Sequence, residues 1–248
     1  MYNRRVIPIL LLSDYGFYKT KKFKTKKYLG DPINIVKIFN GKEVDELIIL
    51  DIDNDNKIDY NYLKDIASES FAPMTYGGGI KTVEDARRVL ELGFEKISVQ
   101  KSAFEDIRFL KELSSNFGSS SIVFSIDFYT NMLGKLKVKN NKSNLPLMEL
   151  IESGIKNGAG EILLNDVSRD GMKTGLNQDI AVEFSKKIDV PLTLVGGANS
   201  FEDIKNGFKN GLSGVGVGKM FCFHGELDGV LISYLSEIQL NIIKYEEI

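Results

Sequence analysis

The sequence has little of what several classes of protein depend on. Of its 248 residues one is a cysteine, Cys222, which excludes an intramolecular disulfide and any metal cluster held by several cysteines. The one histidine, His224, follows closely in FCFHGE, and side chains at this spacing on a strand are poorly placed for joint Cys-His catalysis. We therefore expect no bound metal and no cofactor.

Strong net charge and long apolar runs are also missing. The formal net charge is −2, so the composition suggests neither a nucleic-acid partner nor a membrane partner. No window approaches the roughly 18 to 20 consecutive apolar residues of a membrane span. The start of the chain, MYNRRVIPILLLSD, reaches Ser13 and Asp14 without a small-residue cleavage site. We expect a cytoplasmic protein.

Short apolar runs alternate with amphipathic segments along the chain, which is typical of βα units and not of a bundle or sandwich. The predicted strands are Arg5–Leu11, Glu46–Ile52, Pro73–Gly77, Lys96–Gln100, Ile122–Phe128, Glu161–Asn165, Leu192–Gly196 and Gly214–Gly218. The predicted helices are Pro32–Glu43, Tyr60–Ser70, Thr82–Leu92, Phe104–Asn116, Leu147–Asn157, Gln178–Lys187, Ser200–Asn210 and Leu227–Ile238. Eight such units predict one α/β domain over 1–248, a (β/α)8 TIM barrel.

An internal repeat supports this count. Tyr76–Ser102 aligns without gaps with Leu194–Met220, and both segments contain paired glycines, a Glu-Asp pair, a glycine before the next strand and a lysine after it. Self-similarity at a half-chain offset predicts two similar half-barrels.

The repeat brings a glycine pair to the same rim in each half, Gly78-Gly79 and Gly196-Gly197. Backbone amides exposed by glycines at a helix start bind phosphate, because they are unpaired and the helix dipole favours an anion. The glycines could instead only form tight turns. Their duplication favours a phosphorylated small-molecule ligand with a phosphate at each end.

One predicted strand carries a charge where an apolar residue is expected. Asp127 lies near the end of SIVFSIDF, and ligands of parallel α/β proteins lie at such strand ends, although an aspartate there could simply cap the next turn. Asp170, in the loop SRDGMKTG, could form an acid/base pair with Asp127 of the kind used in imidazole or Amadori chemistry. We expect Asp51 and Asp166, which also follow strands, to bind loop amides.

Two loops differ in composition from the rest of the chain. Lys19–Lys27, KTKKFKTKK, holds six lysines in nine residues. Such a run usually forms a solvated face or a mobile loop, but at this rim it could also attract and cover an anionic ligand. Gly134–Ser143, GKLKVKNNKS, is predicted to be a β-ribbon, and we assign it no chemistry.

Together these motifs resemble the cyclase subunit of imidazole glycerol phosphate synthase, the histidine-pathway barrel that receives ammonia from a glutaminase. The resemblance covers nearly the whole chain. It rests on RVIPILLL with Lys19 downstream, GDP at Gly30–Pro32, DELIILDID at Asp45–Asp53, GGGI at Gly77–Ile80, AGEILL at Ala159–Leu164 and RDGMKTG at Arg169–Gly175. It implies a lyase/cyclase barrel that forms a heterodimer with a glutaminase subunit.

The resemblance also implies roles at the two ends of the barrel. Asp127 and Asp170 match active-site carboxylates. With the glycine repeat, the expected substrate- and phosphate-binding residues are Lys19, Gly78, Gly79, Gln100, Lys101, Gly171, Gly196, Gly197, Gly218 and Lys219. The charged ring where ammonia enters from the glutaminase is matched by Arg5, Glu46, Lys96 and Glu161. Such a ring could also be a salt-bridge layer that only stabilises the barrel floor.

The sequence departs from the family at the catalytic position of the first strand. There the family has an aspartate that works opposite the residue matching Asp127, but this chain has Leu11, and an isobutyl group cannot transfer a proton. Losing one acid/base group typically slows a reaction about 100- to 10,000-fold. The small hydroxyl or amide residues of the family's phosphate sites are replaced by Gln100, Lys101, Gly218 and Lys219. Lysine can still bind an anion, as a point charge.

This pattern resembles more closely the paralogues of surface-glycan pathways, in which a glutaminase, a cyclase-like barrel and a separate amidotransferase convert an acetamido sugar to an acetamidino sugar. The first hypothesis is therefore an ammonia-conducting barrel with a glutaminase and a sugar-amidating synthetase as partners. The second is an active cyclase/lyase of histidine biosynthesis. A third, another barrel enzyme acting on a bis-phosphate metabolite, stays open because fold does not fix function.

Overall fold

The computed structural model describes residues 3–53, 57–141, 145–225 and 227–245. Its strands are β1 (Arg5–Ser13), β2 (Gly16–Lys19), β3 (Lys27–Gly30), β4 (Leu47–Asp51), β5 (Met74–Gly77), β6 (Lys96–Val99), β7 (Ile122–Thr130), β8 (Leu136–Val138), β9 (Glu161–Asp166), β10 (Leu192–Val195), β11 (Gly214–Val217), β12 (Phe223–His224) and β13 (Gly229–Val230). Its α-helices are α1 (Pro32–Asn40), α2 (Tyr60–Ser68), α3 (Val83–Glu91), α4 (Lys101–Glu105), α5 (Arg108–Phe117), α6 (Leu147–Lys156), α7 (Gln178–Ser185), α8 (Phe201–Lys209) and α9 (Glu237–Tyr245).

Eight of these strands form a closed parallel barrel. Their order is β1, β4, β5, β6, β7, β9, β10 and β11, and β11 pairs with β1 to close the ring, with Arg5 opposite Gly214. Helices alternate with the barrel strands along the chain. The predicted (β/α)8 barrel is confirmed, and no described helix is long and apolar enough to cross a lipid bilayer.

Helix caps explain where several helices begin. Asp31 caps α1, which has proline in its first turn. Thr82 and Asp85 form a reciprocal capping box at the start of α3, and Ser200 and Asp203 form the same box at the start of α8. A cap typically stabilises a helix by about 1 kcal/mol. Because α3 and α8 follow the two glycine pairs, the internal repeat has the same local structure in both half-barrels.

The barrel strands are buried on both faces, which is why they appear in the sequence as nearly continuous apolar runs. Along β1, Ile7 and Ile9 belong to a small cluster inside the barrel, whereas Val6 and Leu10 belong to the large cluster between strands and helices. The inner cluster consists of Ile7, Ile9, Ile48, Val123, Leu163 and Val195. The interior between the floor and the upper rim is therefore mainly apolar, with the small hydroxyl residues Thr75, Ser98 and Thr193 also buried there.

Two predicted helices differ from the structure. The helix expected at Phe104–Asn116 is two helices, α4 and α5, because Asp106 has an extended backbone and its carboxylate accepts a hydrogen bond from the amide of Arg108. The prediction of a helix at Leu227–Ile238 is wrong. In the described part of that segment, β13 pairs with β12 in a hairpin, and α9 begins at Glu237. The left-handed backbone of Asp228, with φ of 49°, favours this turn over a helix.

The ribbon predicted at Gly134–Ser143 is confirmed in its described part. β8 pairs antiparallel with the end of β7, with Val138 opposite Phe128. Ser143 lies outside the described residues. The lysine-rich segment after β1 begins and ends in a second antiparallel pair, since Lys19 at the end of β2 lies opposite Lys27 at the start of β3.

Candidate functional site

The carboxyl ends of the barrel strands surround a cavity of about 810 Å³. This volume lies in the range of small-molecule sites. The structure brings together in its lining all the residues predicted for catalysis or phosphate binding, with Leu11, namely Leu11, Lys19, Gly78, Gly79, Gln100, Lys101, Asp127, Asp170, Gly171, Gly196, Gly197, Gly218 and Lys219. Asp51 also lines the cavity. Their roles in binding or catalysis stay predictions.

Asp127 is held by amide side chains from both neighbouring strands. Asn165 lies directly opposite it in the pairing of β7 with β9 and donates from Nδ2 to Oδ1 of Asp127 at 3.0 Å. The side chain of Gln100, which follows β6, also donates to Asp127. Burial raises the pKa of Asp127, and the two amide hydrogen bonds oppose that shift.

Asp170 is bound to the lysine-rich segment. Its Oδ2 accepts a hydrogen bond from Thr20 Oγ1 at 2.9 Å and a longer one from the amide of Phe23 at 3.4 Å. Burial raises the pKa of Asp170, opposed by the Thr20 hydroxyl and by the charge of Lys19. Asp127 and Asp170 thus line one cavity, but different partners hold them.

The first glycine of each pair packs against an aspartate backbone in the same way in both half-barrels. Gly78 and Gly196 have φ values of 133° and 111°, and a Cβ on either would lie 2.6 Å from the backbone oxygen of Asp51 or Asp166, respectively. Each of these aspartates accepts a hydrogen bond from the amide two residues further on, at 3.1 and 3.0 Å. The two aspartates therefore bind loop amides as expected, and the glycine turns pack directly on their backbone.

Lys19 is a buried cation of the cavity. A Cβ on Gly218 would lie 3.2 Å from its Nζ, so the lysine reaches the end of β11. Burial lowers the pKa of Lys19, and the nearby Cys222 and Asp170 oppose that shift. Thr20, Phe23, Lys24 and Lys26 also line the cavity, so the segment lies at the rim. Residues 21–28 are exposed, as in a solvated face, and attraction of an anionic ligand stays a prediction.

Lys139 was not among the residues predicted to line the cavity. Its backbone amide donates to the carbonyl oxygen of Asp127 at 2.8 Å, and its Nζ lies 4.2 Å from the ring centroid of Phe23. The ribbon therefore contributes a cation to the cavity, which Lys139 lines. The available signal was the alternation in KLKVK, which places every second residue, and so all three of its lysines, on one face of the ribbon.

Asp228 was also missed, because its segment was predicted to be helical. Its carboxylate binds two lysines of the cavity lining: Oδ2 lies 2.6 Å from Nζ of Lys219, and Oδ1 lies 3.5 Å from Nζ of Lys173. Hydrogen bonding to Lys219 lowers the pKa of Asp228.

The four charged residues predicted at the floor form one cluster at the amino ends of their strands. Lys96 Nζ lies 3.2 Å from Glu46 and 2.8 Å from Glu161, while Arg5 bonds both glutamates, with 2.9 Å to Oε1 of Glu161. The glutamate side chains are only 3% and 4% exposed. Burial alone would raise the pKa of Glu161, but Arg5 and Lys96 outweigh it and the pKa is lowered. The floor is a closed ion-pair network.

Comparison with known proteins agrees with this architecture. Residues 5–228 match the model of the family described as histidine biosynthesis protein. A Pseudomonas aeruginosa protein provisionally named imidazole glycerol phosphate synthase subunit hisF2 is 40% identical over 250 residues, which cover 98% of this chain and 100% of that protein. A Vibrio vulnificus protein, provisionally named subunit hisF3, is 41% identical over 95% of this chain and 94% of its own length. Subunit HisF of Natranaerobius thermophilus is 34% identical over 96% of this chain and 97% of its own length.

Proposed function

Because the chain belongs to the histidine biosynthesis protein family and its relatives are HisF-type cyclase subunits, we propose that it is a HisF-type barrel that accepts ammonia from a glutaminase partner. We further propose that the ammonia serves amidination of a surface-glycan sugar, from acetamido to acetamidino. The observation that carries this proposal is the combination of a complete charged ring at the floor with Leu11 in the upper cavity.

The floor and the interior suit the passage of ammonia. Arg5 and Lys96 each bridge both Glu46 and Glu161, so a gate at this end would open by rearrangement of ion pairs. Beyond them the barrel interior is mainly apolar and holds no charged side chain among the buried described residues above the ring until the cavity. Neutral ammonia can cross such a layer, whereas an ammonium ion would have to lose its hydration there.

The upper cavity is poorly equipped for ring closure. Leu11 lines it from β1, where it pairs in register with Leu50 of β4. Neither side chain can exchange a proton, so Asp127 lacks the acid/base partner that the resemblance leads one to expect. The barrel would therefore keep ammonia transfer and have little cyclase activity of its own.

Amidination of a sugar requires a further partner. Replacing an amide oxygen by nitrogen requires that oxygen to leave, which means that it must first be activated. We assign this step to a sugar-amidating synthetase that would receive the ammonia from the upper end of the barrel. The glycine turns and lysines of the rim, such as Lys101 and Lys219, would bind the phosphorylated ligand.

Complementation of a histidine auxotroph that lacks the cyclase tests the proposal. We expect no growth with the unaltered chain and partial growth with Leu11→Asp, because the substitution restores a carboxylate opposite Asp127. Leu11→Asn is the matched control, since it has the same shape but cannot transfer a proton. Clear growth with the unaltered chain would instead support histidine-pathway cyclase activity, which the presence of Asp127 and Asp170 in one cavity favours.

The ammonia route needs its own test, in complex with the glutaminase. We expect co-purification of the two subunits, and we expect Lys96→Ala to reduce glutaminase-dependent turnover while turnover with added ammonium salt continues. Lys187→Ala, which removes a surface ion pair with Glu183, is the control. A Lys96→Ala complex that used glutamine as well as the unaltered complex would contradict the gate.

A further inference from the structure

Asp127 differs from a free acid/base group in how completely its surroundings fix it. The strands on either side of β7 are β6 and β9, and each contributes one amide donor, Gln100 and Asn165. Donors on both sides fix the rotation of the carboxylate. Each hydrogen bond stabilises the ionised form and so opposes burial, which raises the pKa of Asp127 overall, and together the two bonds orient the carboxylate as an acceptor.

The side-chain carbonyl oxygen of Asn165, Oδ1, accepts no hydrogen bond from the described residues. The Nδ2 of Asn165 is committed to Asp127, so its carbonyl oxygen is directed away from the carboxylate. That oxygen is buried, although Asn165 lines the cavity. An unpaired buried acceptor destabilises the fold, because it has lost its hydrogen bond to water. A ligand that supplies a donor would relieve this destabilisation.

The two residues together present more acceptors than donors, because one N–H of Asn165 Nδ2 is bonded to Asp127 and an amide has only one further N–H. A carboxylate has about four lone-pair positions, and the two amides use about half of those on Asp127. The remaining lone pairs and Asn165 Oδ1 suit a group with several N–H donors on a positive centre. The charged groups that act on Asp127 from neighbouring elements are Lys139 and Asp170, which have opposite signs.

We propose that Asp127 and Asn165 form an acceptor pair that binds the N–H groups of a small nitrogen cation, an amidinium or an ammonium, with Gln100 and Asn165 as positioning residues for the carboxylate. This inference rests on the proposed function, in which nitrogen arrives as ammonia and leaves in an acetamidino group. An amidinium suits the pair, because its four N–H groups point in several directions and can serve acceptors that face different ways.

Binding of acetamidinium chloride to the full chain tests the proposal directly. The carboxyl carbon of Asp127, observed by NMR in protein with labelled aspartate and assigned with Asp127→Asn, should shift on addition of acetamidinium or ammonium chloride. Tetramethylammonium chloride has the same charge but no N–H group, and it should cause no shift. Comparison of the first two salts shows which nitrogen cation the pair prefers.

Variants separate the acceptor from the positioning residues. Asn165→Leu should weaken acetamidinium binding at least about tenfold, as expected for loss of a hydrogen bond to a charged group. Asn165→Ser, whose side chain is too short to reach the same position, repeats the test if the leucine variant does not fold. Gln100→Leu should raise the pKa of Asp127 and yet allow binding once the carboxylate is ionised. Asn34→Leu, on the exposed face of α1, is the control.

The proposal is overturned if acetamidinium and ammonium leave the Asp127 signal unchanged, if tetramethylammonium shifts it equally, or if both Asn165 variants bind as the unaltered chain does. These outcomes do not depend on the glutaminase or on the sugar. If the unaltered chain complemented the histidine auxotroph but still bound acetamidinium through Asn165, the proposed function would fail and the acceptor pair would remain.

Discussion

Thr20 Oγ1 donates a hydrogen bond of 2.9 Å to Oδ2 of Asp170, and this contact joins the lysine-rich segment to the loop after β9. The backbone supports the same junction, since the amide of Lys22 donates to the carbonyl oxygen of Asp170 at 3.1 Å. Asp170 therefore holds the cover of the cavity as well as lining it.

The first prediction concerns this junction. Thr20→Val removes the hydroxyl with little change of shape and should destabilise the closed segment by about 1 kcal/mol, because the hydrogen bond is to a charged group but is half-exposed. That is about a fivefold rise in the open population. Trypsin, which cuts after the lysines of 21–27, should cleave about fivefold faster if opening is rapid compared with cleavage. Thr25→Val, in the same segment, should cleave at the unaltered rate; equal rates for all three proteins would contradict the role of Thr20.

The second prediction concerns Lys219, which lies 2.6 Å from the carboxylate of Asp228. A phosphate at this end of the cavity has to compete with that carboxylate, which hydrogen bonding to Lys219 keeps ionised by lowering its pKa. Asp228→Asn should therefore bind inorganic phosphate about two- to fivefold more tightly at low salt, as expected for release of a partly exposed ion pair. Lys219→Met should bind it more weakly.

Isothermal titration calorimetry with phosphate measures both changes. Asp106→Asn is the matched control, because its ion pair with Arg108 lies on the surface between α4 and α5. If Asp228→Asn and Asp106→Asn bound phosphate with the same affinity, the proposed competition at Lys219 would be wrong. An increase for Asp228→Asn that disappeared in high salt would agree with it, since screening weakens exposed ion pairs.

The barrel could be predicted from sequence because its signals are local and repeated. The continuous apolar strands, the capping boxes at Thr82 and Ser200 and the glycine pairs recur at a fixed offset, so each supports the others. The segment Leu227–Ile238 has no counterpart in the repeat. Its apolar residues fit a helix as well as a hairpin, and only the turn at Asp228 decides between them.

The site could be predicted only in part, for a related reason. Topology alone places strand-end residues such as Asp127 and Gly196 on one rim. The partners of those residues depend on pairing across the sheet, which a single sequence does not show. Asn165 meets Asp127 across 38 positions of sequence, and Lys139 reaches the cavity only because the ribbon folds back on β7.

The third prediction concerns the pH dependence of the ion-pair network at the floor. Arg5 and Lys96 hold the pKa of Glu161 below the value of 4.5 that it has in an unfolded chain, against the effect of burial. A carboxylate with a lowered folded-state pKa stabilises the protein fully above its unfolded pKa, and this contribution is lost as the pH falls through the folded-state value. Acid should therefore unfold the protein in part by protonating Glu161 at a pH below 4.5.

Lys96→Met removes one of the two cations, so the pKa of Glu161 should rise and the midpoint of acid unfolding should move to higher pH. At neutral pH the free energy of unfolding of the variant should fall by about 3 kcal/mol, because the buried carboxylate of Glu161 keeps only one of its two cationic partners. Urea unfolding across a pH series measures both effects. Lys187→Met, which breaks an exposed pair at 3.0 Å, should change stability by less than about 1 kcal/mol and leave the acid midpoint in place. Equal acid midpoints for the two variants would mean that Lys96 does not hold Glu161 ionised. Arg5 would then be the residue that lowers the pKa of Glu161.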